Sequence, residues 1–328
     1  MRLRNGYAIA LATCSMAAML CLLSLPATAS AEGTFQRTLQ VTGPVNLNLT
    51  TGSGSVNVRT GSSGHVQVTG HIRVTNWFGG DAEQRVKSIE DNPPIQQRGN
   101  DILIGHTGDS ELFHNVSISY EVIVPADTRL DSHTGSGNQT VEGVRGQVEV
   151  ESGSGSVKLS DIGDSVRAEA GSGDIHVDHV KGNVHAKTGS GSINANDVAG
   201  GFEGSTGSGH ITLDQSAPGS VRAETGSGGL DLRGVHGSLE ATAGSGTISA
   251  EGDPAGSWDL HTGSGSVHLK LASEAHFDLD ARTSSGSISV SQPVTVQGTL
   301  GRKQLHGQVH GGGVPVEVET GSGNIEIQ

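Results

Sequence analysis

The sequence predicts an all-β fold, a parallel β-solenoid of the β-helix or β-roll kind with about 18 residues and two short strands per coil. Three observations predict it. A Gly-Ser-Gly tripeptide opens at Gly135, Gly153, Gly171, Gly189, Gly207, Gly226, Gly244 and Gly263, at intervals of 18, 18, 18, 18, 19, 18 and 19 residues, with outlying copies at Gly52 and Gly321. Between the copies apolar residues alternate with polar ones, the period of a strand, and no 3.6-residue helical period runs through this region. Glycine stands at 51 of 328 residues, about twice the ordinary ~7 %, while aromatics are only 3 %. In a glycine-rich chain of this kind, only periodic apolar ladders stacked coil on coil can supply a core.

The first element is a leader. Arg2 and Arg4 precede an apolar run from about Ala8 to Leu25, Pro26 breaks it, and Ala27-Thr28-Ala29 and Ala29-Ser30-Ala31 follow. This is the pattern of a secretory signal peptide over 1–29, cleaved after Ala29 or Ala31, with no retained transmembrane helix. The segment Leu11-Ala12-Thr13-Cys14 departs from a lipoprotein box at Thr13. Both cysteines, Cys14 and Cys21, lie inside the leader, so the exported chain holds together without disulfides. The formal charge is -14, and removal of Arg2 and Arg4 takes it to -16. That balance argues against nucleic acid and anionic membrane surfaces as partners.

Residues 30–132 read as a β-rich amino-terminal segment that supplies a cap and the first coils. Strand patterns lie at Val45-Asn46-Leu47-Asn48-Leu49, Val56-Asn57-Val58, Val66-Gln67-Val68 and Ile72-Arg73-Val74. A short helix is expected near 81–91, with Asp81 as N-cap, Gln84 three residues on, and Pro93 and Pro94 as the stop. Strands resume at Ile102-Leu103-Ile104 and from Val116 to Val124. A cap is needed because the terminal coil of a solenoid otherwise exposes an open edge.

Residues 133–328 read as the regular solenoid. One inward column runs Val157, Ile175, Ile193, Ile211, Leu230, Ile248, Val267 and Ile288, and another runs Val166, Val184, Phe202, Val221, Leu239, Trp258 and Phe277. Smaller residues, such as Ala170, Thr188, Thr206, Thr225, Ala243 and Thr262, stand beside the turn, so the interior narrows towards it. The turn glycines are expected to allow close approach of neighbouring coils, and the serines between them to bond the turn backbone. The 37 residues from the degenerate Ser284-Ser285-Gly286 to Gly321 fit two coils, which places an irregular coil at 292–313.

A family resemblance follows from particular residues. Tyr120-Glu121-Val122-Ile123-Val124-Pro125 leading into Gly135-Ser136-Gly137, the Thr-Gly-Ser-Gly coils, and the closing run from Gly311-Gly312-Gly313-Val314-Pro315 to Gly321-Ser322-Gly323-Asn324-Ile325-Glu326-Ile327 resemble a bacterial family of unknown function labelled putative adhesin. Its members are β-strand-repeat proteins related to autotransporter adhesin head domains. The resemblance spans about 35 to 328. It implies a surface or binding role and offers no catalytic residues to carry over. No translocator barrel or cell-wall sorting signal is read in the chain.

Candidate chemistry is sparse. The Gly-rich turns lack the Gly-Lys-Ser/Thr ending and following helix of a phosphate loop. Outward columns run Arg167, His185, Glu203, Arg222, Glu240, Asp259, Asp278 and, beside it, Glu169, Lys187, Ser205, Glu224, Thr242, His261, Asp280. In these columns Glu240, Asp259 and Asp278 with Asp280 and His261 form an oxygen-rich group of the kind that suits Ca²⁺. A solvated acidic face is the simpler account of the same residues. Zinc shared by His176, His179 and His185 is disfavoured because His185 lies on the other strand of its coil; His306 and His310 could meet in a turn. Polysaccharide lyases and hydrolases on β-helices need long loops that wall a cleft around paired carboxylates, and turns of about four residues cannot build them. The expectation is an exported, non-catalytic structural or adhesin-like protein without a resident cofactor. Its place is the periplasm, the outer surface or outside the cell, with glycans or envelope proteins as the partner classes; a carbohydrate-active β-helix enzyme is the alternative.

Overall fold

The computed structural model describes residues 29–76, 81–105, 112–296, 301 and 303–328. The expected signal peptide lies outside them, save its last residue, Ala29. Two long sheets, of 14 and 15 strands, face each other, and the chain crosses between them twice per coil. The alternating pattern produces this directly: every second side chain is buried in Val166–Ala170 and in Val157–Leu159, and the positive φ of Asp161 then turns Ile162 inward. The coils pair in parallel and in register. Val157, Ile175, Ile193, Ile211, Leu230, Ile248 and Val267 form one continuous ladder. Val148, Val166, Val184, Phe202, Val221, Leu239 and Trp258 form the facing one. All are at most 3 % exposed, in one core that runs the length of the solenoid. Each large side chain so buried is worth about 1.5–3 kcal/mol, and the sum grows with every coil added.

The Gly-Ser-Gly corner is a packing device. From Gly135 onwards the first glycine of each copy lies against the backbone of the neighbouring copy: a Cβ built on Gly153, Gly171, Gly189 or Gly244 would sit 2.4, 2.4, 2.5 or 2.5 Å from the carbonyl oxygen of the glycine one coil before. Gly135, Gly207, Gly226, Gly263 and Gly321 stand in the same relation to their neighbours. The third glycine adds a conformational demand, as at Gly246, where φ is +156°. The bonds that close the corner come from the threonine column rather than from the serines between the glycines, which are exposed. Thr188, Thr206, Thr225 and Thr262 donate their hydroxyls to the carbonyls of Gly173, Gly191, Gly209 and Gly246 at 2.8, 2.9, 3.0 and 2.9 Å. Buried hydroxyls need such partners, so the threonines face inward and still help to close the turn.

Stacking order departs from sequence order at both ends. The first coil, Val45–Ser53 with Val56–Thr60, lies between two others: Leu47 pairs with Ile102 on one side and with Leu130 on the other. At the carboxy-terminal end the last coil is inserted. Strand Val314–Ser322 runs between Trp258–Ser264 and Phe277–Ser285, so that Val316 is the neighbour of both Trp258 and Leu279. The expected adjacency of Trp258 and Phe277 is therefore corrected. Phe277 stays inside because it stands two residues before Leu279, and a shift of two residues keeps every side chain on its face. The segment expected to add an irregular coil at 292–313 turns back instead. Val294–Val296 and Gln304–Val309 pair antiparallel, and the latter pairs antiparallel with Phe277–Ser285.

The amino-terminal end carries a cap. Beyond its last complete coil the first sheet continues with two antiparallel strands, His65–Asn76 and Ala29–Gln40. The helix Ala82–Asp91, with Asp81 at the cap position, covers their inner face through Ala82, Val86 and Ile89. Gly33 admits it: a Cβ there would lie 2.3 Å from Val86 Cγ1. Glu90 fastens the other end, its carboxylate accepting from Thr34 N at 2.8 Å and its carbonyl from Arg37 Nη2 at 3.0 Å.

Candidate functional site

A shallow groove of about 890 Å³ runs across six coils of the second sheet. Its length is roughly 25 Å at the ordinary spacing of strands. Two rows of side chains line it, both set by the 18-residue repeat. One row is small: Ser165, Asn183, Gly201, Ser220, Ser238 and Ser257. The other is charged: Arg167, His185, Glu203, Arg222, Glu240 and Asp259. Between them Val166, Val184, Phe202, Val221 and Leu239 contribute to the floor, with their side chains buried in the core on the other face of the sheet.

The charges of the second row are tied together along the rod axis. Arg167 contacts Glu149 at 3.6 Å and bonds Glu169, His185 Nδ1 lies 3.1 Å from Glu203, and Arg222 bonds Glu240. Such exposed pairs are worth about 0–1 kcal/mol each. Their effect is to fix orientation and to leave a surface of mixed sign, with Glu240 and Asp259 adjacent at one end. Burial pushes the hydroxyl pKa of Tyr120 up. This residue lies in the core against Phe35, away from the groove, with ring centroids 6.4 Å apart.

The oxygen-rich group expected around Asp259 is not one column. Glu240 and Asp259 are neighbours, but the next residue in the ladder is Glu317, followed by Asp280; Asp278 stands beside Pro315. His261 neighbours Glu319, with Nδ1 3.7 Å from its carboxylate, and not Asp280. Arg282 neutralises the region, bonding Asp280 and Glu317. Among the described residues no group of three or more His, Cys, Asp and Glu side chains is arranged to hold a metal ion. His310 meets His276, ring centroids 5.8 Å apart, while His306 pairs across the strands with Asp280.

Two imidazoles, His133 and His179, have carboxylates on both sides, an arrangement the sequence reading did not identify. His133 has Nε2 2.7 Å from Asp131 and Nδ1 3.0 Å from Glu151. His179 lies 3.9 Å from Asp161 and 3.8 Å from Asp197, and all three adopt positive φ at one corner. The signal was available in both cases: the axial partners Glu151, Asp161 and Asp197 stand 18 residues from their histidines.

The chain can be set beside known proteins on this geometry. The profile of a family described as Toastrack DUF4097 matches residues 45–328. Among solved structures, a putative cell adhesion protein from Clostridium sporogenes is 11 % identical, with 90 % of this chain and 99 % of that one covered and a TM-score of 0.25. A putative adhesin from Bacteroides fragilis is 12 % identical, with 90 % and 97 % covered and a TM-score of 0.34. No curated protein matches the chain. Among the described residues no helix is long and apolar enough to cross a membrane.

Proposed function

The chain belongs to the Toastrack DUF4097 family, and from that premise we propose that it is an exported, non-catalytic, adhesin-like protein of the bacterial envelope that binds an extended partner along its second sheet. The observation that carries this reading is the groove across six coils. It repeats one chemical environment at each coil, a small polar residue beside a charged one, which suits a linear partner with a regular repeat better than a compact substrate. A neutral or zwitterionic glycan fits the mixed sign of the row. Catalysis is disfavoured because the carboxylates are neutralised by neighbours and short corner turns leave the groove shallow and open.

Export rests on the leader. Cleavage after Ala29 or Ala31 leaves the body of the first strand, with Phe35 still buried against Tyr120. The proposed organisation is a leader over 1–29, a capping segment over 30–132 and the repeat body over 133–328. The test joins two measurements. Fractionation of expressing cells should place a chain beginning at Ser30 or Glu32 in the periplasm, on the surface or in the medium; recovery of the mature protein in the cytoplasm contradicts export. Incubation with a polysaccharide panel should give retention that weakens in an Arg167→Glu, Arg222→Glu variant, with no release of reducing ends. Released reducing ends would support the alternative, a carbohydrate-active enzyme.

A further inference from the structure

The two ends of the rod are built alike and finished differently. At the amino-terminal end the first sheet runs two strands past the last complete coil and the second sheet one, Ile95–Arg98, and the helix Ala82–Asp91 covers the longer side. At the carboxy-terminal end the second sheet overhangs by two strands, Gln304–Val309 and Val294–Val296, while the first sheet stops at Ile288–Val290. No helix among the described residues lies over that overhang. Its inner face and the edge opposite form an apolar cleft of about 260 Å³ between Ile288, Val290, Val294, Val296 and Leu305. The four Ile and Val side chains are half-buried, in contrast to their counterparts in the complete coils. In the same cleft the side-chain oxygen of Gln292 is buried without a hydrogen-bond partner among the described residues.

We infer that this end docks a second copy of the chain, end to end about a two-fold axis that runs along the strands. In that arrangement each copy's two-strand overhang fills the two-strand gap of the other. The edge strand Ile288–Val290 of one copy then pairs with the outermost strand Val294–Val296 of its partner, and both sheets become continuous. Charge selects this occupant. The protein carries -14 formal charges, yet residues 283–301 hold no charged side chain at all. Two copies therefore meet there without the like-charge repulsion that their flanks impose. The edge is also free of the lysines with which isolated sheets blunt their edges. The interface is isologous, so it closes at two copies. It is independent of the groove reading, since the groove lies on the middle coils.

The test is the mass of the purified full chain by sedimentation or light scattering over a range of concentration. The expected result is a dimer. A Ser289→Lys, Thr295→Lys variant changes two exposed residues on the solvent side of the edges, where neighbouring strands bring like charges together. It should raise the dimer dissociation constant by roughly a hundredfold or more, with an unchanged melting profile showing that the fold is intact. Mixing it with a Ser289→Glu, Thr295→Glu variant should restore a mixed dimer. A wild-type monomer at the highest attainable concentration overturns the inference. So does a dimer indifferent to the lysines, or assembly that continues beyond two copies.

Discussion

Replacing one glycine of the repeated corner by alanine should be costly at Gly189 and nearly free at Gly52, although both open the same tripeptide. At Gly189 the added Cβ would sit 2.5 Å from the Gly171 carbonyl oxygen, where an ordinary contact begins at about 3.4 Å. The obstacle is backbone, held in the next coil, so relief requires the two coils to part locally. Two bonds stand in the way: Gly189 N donates to Ala170 O at 3.1 Å and Thr188 Oγ1 to Gly173 O at 2.8 Å. Stretching both costs about 1 kcal/mol each, and the residual overpacking brings the total to about 2–3 kcal/mol. At Gly52 a Cβ would meet nothing within 4 Å, and φ there is not in the left-handed region. Gly52→Ala should therefore be neutral or slightly stabilising through the unfolded chain. The assay is thermal and urea unfolding of both variants beside the parent. A Tm lower by roughly 3–5 °C is expected for Gly189→Ala, with little change for Gly52→Ala. Equal Tm values for the two would refute the argument that close coil approach is why glycine stands at this corner.

Further outcomes follow from the same geometry. Thr206→Val removes the donor to Gly191 O and should cost about 1 kcal/mol in urea unfolding, whereas Ala243→Thr, at a gap in the same column, should recover a similar amount. Tyr120 ionises less readily folded than unfolded, because burial disfavours the phenolate. Stability is thus intact below pH ~10 and is lost as pH rises above it, where the unfolded chain gains by ionising. Tyrosinate absorbance should appear together with unfolding, and Tyr120→Phe should flatten the alkaline loss. Deleting residues 314–328 removes an inner layer rather than an end. Hydrogen exchange should show Phe277–Ser285 losing protection while the coils around Gly189 keep theirs.

Much of the fold was legible because the repeat is local. The 18-residue period and the alternation within it determine which residues of a coil face inward, and the ladders from Val157 to Val267 follow without any long-range information. The helix Ala82–Asp91 was legible from Pro93, Pro94 and its polar start. Stacking order at the ends was not. Trp258 can be followed by Phe277 or by Val316 with equal satisfaction of the alternating pattern, since both choices bury an apolar side chain. Only contacts between residues about 58 positions apart, such as Trp258 with Val316, distinguish them. That ambiguity also displaced the acidic column, because Asp278 was taken as the neighbour of Asp259 where Glu317 stands. The groove was half legible: its charged row could be read from the period, but its concavity depends on how the small row beside it lies across six coils. The role of the threonines was hidden for a different reason. Spacing places them inside, but the carbonyl that each one reaches belongs to another coil.

Strand order at the carboxy-terminal end is the claim on which the outward columns, the inserted coil and the docking edge all depend, and engineered disulfides test it most directly. The only native cysteines are Cys14 and Cys21 in the leader, so introduced pairs report without interference once the leader is removed. Asp259→Cys with Glu317→Cys places two thiols on adjacent strands in register, within the ~4.4–6.8 Å Cα separation that a disulfide spans. Asp259→Cys with Asp278→Cys places them two strands apart and two residues out of register, about 12 Å. Mild oxidation should link the first pair and leave the second free. A disulfide in the second pair and none in the first would contradict the inserted coil and return the columns to sequence order.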